Sequence, residues 1–143
     1  MNIRAFEPSD HPDVLRLWQT TPGIVVRDVD AGAPIAAYLA KNPGMSFVAV
    51  VDDHIVGAVL CGTDGRRGYL QHLAVHPDYR RQGLGRRLVQ RCLDALAAAG
   101  VDKCHLMVLA DNRDAAEYWT HLGWELRSDL HLMSHTISGV PGA

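Results

Sequence analysis

The feature that most constrains the fold is an apolar segment that passes through a short loop directly into an amphipathic helix. Residues 69–75 are mostly apolar and predict a strand. The loop that follows contains Gly83 and Gly85, and apolar residues then recur at helical spacing until Gly100, which predicts a helix over residues 83–99. A strand that enters a helix through glycines presents unpaired N–H groups and the positive end of the helix dipole. This arrangement suits a phosphate group.

The same helix carries a cluster of positive charge on the face opposite its apolar stripe. The chain has a net charge of -2, yet five arginines fall within a short stretch: Arg80, Arg81, Arg86, Arg87 and Arg91. A local anion site explains this asymmetry better than a nucleic-acid surface, because aromatic residues are not interleaved with the arginines. The segment lacks the Gly-Lys-Ser/Thr of a Walker loop and the third glycine of a dinucleotide-binding fingerprint.

Length and composition predict one domain over residues 1–143, because 143 residues with 48% hydrophobic content are enough to fill one core. The three cysteines are an odd number and lie in apolar runs, which favours reduced core thiols in the cytoplasm. The first residues lack the apolar core of a signal peptide, and no apolar run is long enough to span a membrane. We therefore expect a cytoplasmic protein.

The remaining segments predict a single α+β unit. We expect strands at residues 3–6, 46–51, 55–62 and 104–109, and a final strand pair at residues 124–127 and 130–136. Further helices are expected from Asp10, whose carboxylate would cap it, to residue 20, over residues 30–41, and from Asn112 to Gly123. The tail from Ile137 to Ala143 is expected to fray.

Two spaced motifs resemble those of a known family. Arg80-x-x-Gly83-x-Gly85, directly after Leu-Ala-Val-His-Pro, resembles the acetyl-CoA-binding motif of the GNAT family of N-acetyltransferases. Asn112-x-x-Ala115 and then Gly123-Trp124 are similar to its second signature, an Asn-capped helix that ends in Leu-Gly-aromatic. The resemblance covers residues 3–136. It implies an α+β, three-layer fold with a mixed, mostly antiparallel sheet of six to seven strands, about four helices and a splayed parallel strand pair.

The function that the resemblance implies is an acetyl-CoA-dependent N-acetyltransferase, in which a primary amine attacks acetyl-CoA, the cosubstrate, within a ternary complex. Pantetheine would fill the gap between the splayed strands, and the backbone of Leu73 would polarise the thioester carbonyl. Most of the implied contacts are backbone contacts. The implied cofactor-binding residues are Leu73, Ala74, Val75, Arg80, Arg81, Gln82, Gly83, Leu84, Gly85, Arg86, Asn112, Tyr118 and Trp119.

The expected proton donor departs from the family pattern, because Trp119 stands where relatives usually carry a tyrosine. Tyr118 is the candidate acid for the departing thiolate, and the alternative is a tyrosine packed in the core with its hydroxyl bonded locally. Trp119 is expected to line the acyl or acceptor pocket. His72 is the candidate base, since imidazole exchanges protons near neutral pH. The alternative is a strand histidine that faces a helix or solvent.

The acceptor is expected to enter beside residues 21–28, an unusually apolar loop in which Arg27 and Asp28 are candidates to orient a zwitterionic amine. The alternative is that residues 24–26 pack into the core or a dimer face. His131 and His135 lack the further ligands of a metal site, so no metal is expected. Two other functions stay open: a non-catalytic acyl-CoA-binding sensor or interaction module, and an RNA- or protein-binding domain on the same fold. A homodimer is a further possibility.

Overall fold

Five strands form one mixed sheet in the order β1-β2-β3-β4-β5, in a computed structural model that describes residues 1–140. Only β4 and β5 are parallel. The prediction of an α+β fold with a parallel pair is confirmed, with five strands instead of six or seven. The elements are β1 (Asn2–Ala5), α1 (His11–Gln19), α2 (Gly32–Lys41), β2 (Phe47–Val51), β3 (His54–Thr63), β4 (Gly68–Val75), α3 (Leu84–Ala98), β5 (Cys104–His105) and α4 (Arg113–His121).

Two apolar cores lie on opposite faces of the sheet, because successive side chains of a strand point to opposite faces. The amphipathic helix α3 covers one face and buries Leu88, Cys92 and Leu96 there. Helices α1 and α2 cover the other face, where Trp18 and Ile35 are buried. The result is a three-layer arrangement in which both faces of the central strands are covered.

Strand β4 contains a bulge that exchanges its two faces. Its register with β3 leaves His72 and Leu73 together opposite Val59. His72 has a left-handed backbone with φ 55°, which few non-glycine residues adopt. Because one extra residue inverts the alternation of side chains, Leu70 packs under α3 whereas Ala74 packs under α1 and α2.

The parallel strands β4 and β5 pair only at their first residues. The pairing consists of Gly68 with Cys104 and Tyr69 with His105. Residues 106–110 then run without strand pairing, so the predicted strand over residues 104–109 is shorter than expected. The edge of β4 beyond Tyr69 is therefore open on this side, and the predicted splay is confirmed.

The predicted final strand pair, residues 124–127 and 130–136, is wrong, since neither segment forms a strand. A strand pair needs an edge to pair with and a face to bury, and the two-residue β5 supplies too short an edge. Apolar side chains of this segment stay exposed, among them Leu126, Leu130, Leu132 and Met133. The expected fraying of the tail falls partly on residues 141–143, which lie outside the described residues.

Asp10 precedes α1 but does not cap it, contrary to the prediction. Its carboxylate instead accepts hydrogen bonds from the Arg4 guanidinium at 2.7 and 2.8 Å and from the Glu7 amide at 2.9 Å. Burial alone would raise the pKa of Asp10, but these hydrogen bonds outweigh it and hold the pKa below its ordinary value. Asp10 thus joins β1 to α1.

The cysteines lie in or beside the core. Cys61 and Cys92 are buried and Cys104 is half-buried, and all three are free thiols. The contact with Cys61 and burial raise the pKa of the Cys104 thiol far above its ordinary value. Among residues 1–140, no helix is both long enough and apolar enough to cross a membrane.

Candidate functional site

The end of the loop between β4 and α3 and the first turn of α3 together present six consecutive backbone N–H groups without a protein acceptor among residues 1–140. The N–H groups of residues 81–86 donate to no protein group in the described part of the chain. Arg81 and Gly83 both have left-handed backbones, with φ 62° and 76°. Alternation of backbone handedness turns successive N–H groups toward one side and creates a concave anion-binding surface. We call residues 81–86 the anion cradle.

Side chains fix the anion cradle from behind. Arg80 Nε donates to the Val75 carbonyl at 3.0 Å, which ties the loop to the end of β4. Gln82 Nε2 donates to the Asp78 carbonyl at 3.4 Å. The remaining arginines of the sequence cluster at this end of α3 are exposed and add positive charge beside the free N–H groups: Arg81, Arg86 and Arg87.

A cleft of about 660 Å³ opens where β4 and residues 106–110 diverge. Its walls are residues 70–73 of β4 and residues 106–110, and residues 22–25 with Arg27 form a third side. The volume lies in the ordinary range of small-molecule sites. The lining is largely apolar and contains no Asp or Glu, and its ionisable residues are Arg27 and His72. The predicted acceptor loop and the predicted central strand therefore meet at one cleft.

The predicted residues of β4 and the first turn of α3 divide between cleft and core. Leu73 lines the cleft. Ala74 is 1% exposed and its side chain packs in the core under α1 and α2. The Leu84 side chain is also 1% exposed, so this residue offers only its backbone N–H to the anion cradle. The Val75 carbonyl is already bonded to Arg80.

Helix α4 brings its own predicted residues to the cleft. Asn112 Oδ1 accepts from the Ala115 N–H at 3.1 Å and caps the helix, as predicted. A Cβ added to Gly23 would lie 2.7 Å from Asn112 Nδ2, so the loop of residues 21–28 rests against Asn112. Trp119 lines the cleft and packs edge-on against Trp124 at 5.2 Å between ring centroids.

Tyr118, a residue of α4, does not line the cleft. Its hydroxyl lies beside Gly85 in the first turn of α3. A Cβ on Gly85 would lie 2.5 Å from Tyr118 Oη and 3.7 Å from Leu73 Cδ2. The hydroxyl is therefore at the junction of the anion cradle and Leu73. Burial raises the pKa of Tyr118, against the smaller opposing effect of Arg86. The phenol is thus protonated at neutral pH.

His72 is held by groups from the α1 side of the sheet. Its Nε2 donates to Asp30 Oδ2 at 3.1 Å, and its carbonyl accepts from Trp18 Nε1 at 3.0 Å. The imidazole packs against the Trp18 ring with centroids 5.0 Å apart. These contacts stabilise the left-handed backbone at the bulge, which a non-glycine residue keeps only where its surroundings enforce it.

Asp30 is a site residue that the sequence did not reveal. It is 5% exposed and ends a short 3-10 turn, Asp28–Asp30, so that α2 begins at Gly32 and not at the predicted Asp30. Its Oδ2 also accepts from the Arg27 N–H at 3.0 Å, and its carbonyl accepts from His11 Nε2 at 2.7 Å. An acidic residue before an apolar helix ordinarily indicates a helix cap, so no local signal pointed to His72.

Comparisons with known proteins agree with this architecture. The model of the acetyltransferase (GNAT) family matches residues 11–124. An acetyltransferase of Sodalis glossinidius is 33% identical over 137 residues, which cover 96% of each chain. The ribosomal-protein-S18-alanine N-acetyltransferase of Escherichia coli superposes with a TM-score of 0.68 at 25% identity, over 85% of this chain and 76% of that chain. The PaiA N-acetyltransferase of Thermoplasma acidophilum, in complex with coenzyme A, gives 0.77 at 15% identity, over 88% and 90%.

Proposed function

The chain belongs to the acetyltransferase (GNAT) family, and from this premise we propose that its 143 residues form one domain that transfers the acetyl group of acetyl-CoA to a primary amine. The amine attacks directly within a ternary complex. Its nitrogen bonds to the acetyl carbon, the carbon–sulfur bond breaks, and the products are an acetamide and the thiol of CoA. No covalent enzyme intermediate is required.

The observation that carries this proposal is the anion cradle beside the cleft. Six free N–H groups and the exposed Arg81 and Arg86 suit the pyrophosphate of CoA, because backbone N–H groups at a helix N-terminus bind phosphate oxygens. The cleft begins at Leu73, which is also close to Gly85 of the anion cradle. A ligand with phosphates at one end and a thioester at the other fits this arrangement, with its phosphates on the anion cradle and its thioester in the cleft.

Roles for the residues of β4 and α4 follow from the open edge of the sheet. Because β4 has no strand partner beyond Tyr69 on this side, backbone groups of Leu73 and Val75 are proposed to pair with the amides of pantetheine. The backbone of Leu73 is proposed to polarise the thioester carbonyl as an oxyanion hole does. Asn112 Nδ2 is proposed to contact the pantetheine arm while Oδ1 caps α4.

Tyr118 is proposed to protonate the departing thiolate. Its hydroxyl lies at the junction of Gly85 and Leu73, and its raised pKa keeps the proton available. The requirement for this proton is modest, because a thiol with a pKa of about 8.5 leaves readily as a thiolate. Trp119, which lines the cleft, is proposed to shape the acyl and acceptor pocket.

The charge of the cleft supports an acceptor with one amine and no further positive charge. Among residues 1–140, the lining includes Arg27 and no Asp or Glu, so a polyamine would find no opposite charge there. We propose an α-amine, in an amino acid or at a peptide N-terminus. This class agrees with the E. coli neighbour, whose name gives a protein alanine as its acceptor.

The first experiment measures thermal unfolding with acetyl-CoA and with CoA. At 100 times the dissociation constant, a single site stabilises the folded protein by about 2.7 kcal/mol. The matched variants are Gly83→Asp and Gly83→Asn, which have similar shapes and both tolerate the left-handed backbone found here. Both side chains fill the same space, and the aspartate adds a negative charge that opposes phosphate. We therefore expect stabilisation of the parent, less for Gly83→Asn and none for Gly83→Asp.

The second experiment measures thiol release from acetyl-CoA with L-amino acids, a short peptide with a free N-terminus, and spermidine. Release with an α-amine supports the proposed reaction and acceptor class. Release with spermidine alone would overturn the acceptor class only. Stabilisation by acetyl-CoA without release with any amine would favour the non-catalytic acyl-CoA-binding module. No stabilisation of the parent would overturn the proposed function.

A further inference from the structure

We propose that His72 and Asp30 form a catalytic dyad in which Nδ1 of His72 takes the proton of the attacking amine. Asp30 is then a positioning residue, since it acts through the imidazole and does not line the cleft. The proposal rests on the acetyl transfer proposed above, and it names the base for that reaction.

The hydrogen bonds of the imidazole identify the nitrogen that is available. Nε2 is bonded to the Asp30 carboxylate at 3.1 Å. A carboxylate only accepts hydrogen bonds, so Nε2 carries the hydrogen and the neutral ring keeps its lone pair on Nδ1. Within residues 1–140, Nδ1 has no hydrogen-bond partner and is not sealed from solvent. His72 lines the cleft, and because Nε2 is bonded to Asp30, Nδ1 is the ring nitrogen left for an acceptor amine.

The surroundings of Asp30 indicate that its carboxylate orients the His72 imidazole through their hydrogen bond. Among the described residues, the imidazole is the only ionisable side chain that contacts it, and its other partner is the Arg27 backbone N–H. A buried carboxylate without a guanidinium or ammonium partner is costly to keep. The left-handed backbone of His72 is a second cost at the same place. A strained backbone at the wall of a cleft, with a buried carboxylate bonded to the same residue from behind, is typical of functional sites.

The step balances as an ordinary proton transfer. The amine lone pair forms the bond to the acetyl carbon, and one N–H proton passes to Nδ1. The imidazolium that results is stabilised by the Asp30 carboxylate, which stays ionised. The proton then leaves to solvent, the departing sulfur takes its own proton from Tyr118, as proposed above, and the Tyr118 phenolate takes a proton back from solvent. The ring therefore returns to the tautomer with hydrogen on Nε2.

Few other charged groups face the imidazole. Asp30 contacts it from the turn before α2, and His11 of α1 reaches only the Asp30 carbonyl. Arg27 lines the same cleft from the acceptor-side loop, and the lining residues of the opposite wall and of α4 are not ionisable. A pH profile that is controlled by one imidazole is therefore expected to belong to His72.

The first test is independent of any acceptor. Nitrogen-15 NMR of the imidazoles, assigned with His72→Asn, reports which ring nitrogen carries the hydrogen. We expect the tautomer with hydrogen on Nε2 in the parent, and loss of this preference in Asp30→Asn. A parent ring with its hydrogen on Nδ1 would overturn the proposal, because that nitrogen could not accept a proton.

The second test uses acetyl-CoA and the best amine of the panel above. His72→Asn is expected to lower kcat/KM by about 10²-fold or more and to remove the acidic limb of the pH profile. Asp30→Asn is expected to lower kcat about tenfold or more, with the KM for acetyl-CoA nearly unchanged. In the His72→Asn background, Asp30→Asn is expected to add less than about twofold, because the two residues act as a unit.

The matched control is Asp10→Asn, which removes another buried carboxylate that is paired with Arg4 and not with the site. We expect it to lower stability and to leave the pH profile in place. Equal effects of Asp30→Asn and Asp10→Asn on kcat, or additive effects of Asp30→Asn and His72→Asn, would overturn the dyad while acetyl transfer stands. Failure of every amine to release thiol would overturn the reaction and the dyad together.

Discussion

At Gly85 the first turn of α3 leaves no room for a side chain. A Cβ there would lie 2.5 Å from Tyr118 Oη, and its next neighbour would be Tyr118 Cζ at an ordinary 3.6 Å. The hydroxyl alone therefore creates the conflict. The absence of a Cβ at Gly85 thus leaves space for the Tyr118 hydroxyl beside Leu73.

This contact predicts a difference between two backgrounds. In the parent, Gly85→Ala must displace the Tyr118 hydroxyl, the far end of a side chain that is 40% exposed, so we expect a destabilisation of at most about 1 kcal/mol. In Tyr118→Phe, the same change is expected to be neutral or stabilising by up to about 1 kcal/mol, because alanine favours a helix. Denaturant unfolding of the four proteins measures both values, and equal costs in the two backgrounds would contradict the contact. Thiol-release kinetics of Tyr118→Phe then test the proposed acid, with kcat expected to fall only about tenfold or less, because the thiolate leaves readily.

The residues of the site differ in how far the sequence could predict them. The glycines of the anion cradle and Asn112 were predictable because their roles are local: a left-handed turn and a helix cap. The hydrogen bond of His72 with Asp30 was not predictable, because it joins residues 42 positions apart and depends on the bulge at His72. Regular alternation along β4 would have turned His72 to the same face as Leu70, and the bulge reverses this.

Among the elements, the junction of β1 and α1 depends on one buried carboxylate. Asp10 has a pKa below its ordinary value in the folded protein, so its stabilising effect is complete above the pKa of the unfolded chain, about 4, and is lost as the pH falls. Asp10→Asn is expected to cost about 1–3 kcal/mol at pH 7, as for hydrogen bonds to charged groups. Urea unfolding from pH 7 to pH 3 should show the gap between parent and variant closing. A gap independent of pH would contradict the ion pair.

The helices and strands with local sequence signals were predictable, whereas those that depend on contacts distant in the chain were not. Strands β2 to β4 and helix α3 lie within about two residues of their predicted bounds, because apolar periodicity and Gly100 are local signals. Strand β5 is shorter than predicted and the expected final strand pair is absent. The lengths of these strands depend on how far β4 and the chain after β5 stay together. The pairing of β4 with β5 ends at Tyr69, before the bulge at His72 and Leu73, and no local pattern announces where it stops.

Across the whole molecule, the sheet is continuous from β1 to β4 and open beyond. Hydrogen exchange should reflect this: the amides of residues 81–86 lack acceptors and are expected to exchange fast in the free protein. CoA is expected to slow them, together with residues 72–75 and 106–110. Gly83→Asp should show no such protection. Slowing that is confined to residues 124–140 would contradict the proposed position of the ligand.

The burial of the cysteines decides how this molecule behaves toward thiol reagents. The Cys104 thiol acts to lower the pKa of Cys61, but the contact with Cys92 and burial raise it to about 12, and Cys92 is itself closed off from solvent. Thiolates, and not thiols, attack disulfide reagents, so the cysteines of the folded chain are expected to react slowly with them. A colorimetric reagent will therefore count each CoA released in real time, and a late burst of protein thiol will mark the moment at which the domain unfolds.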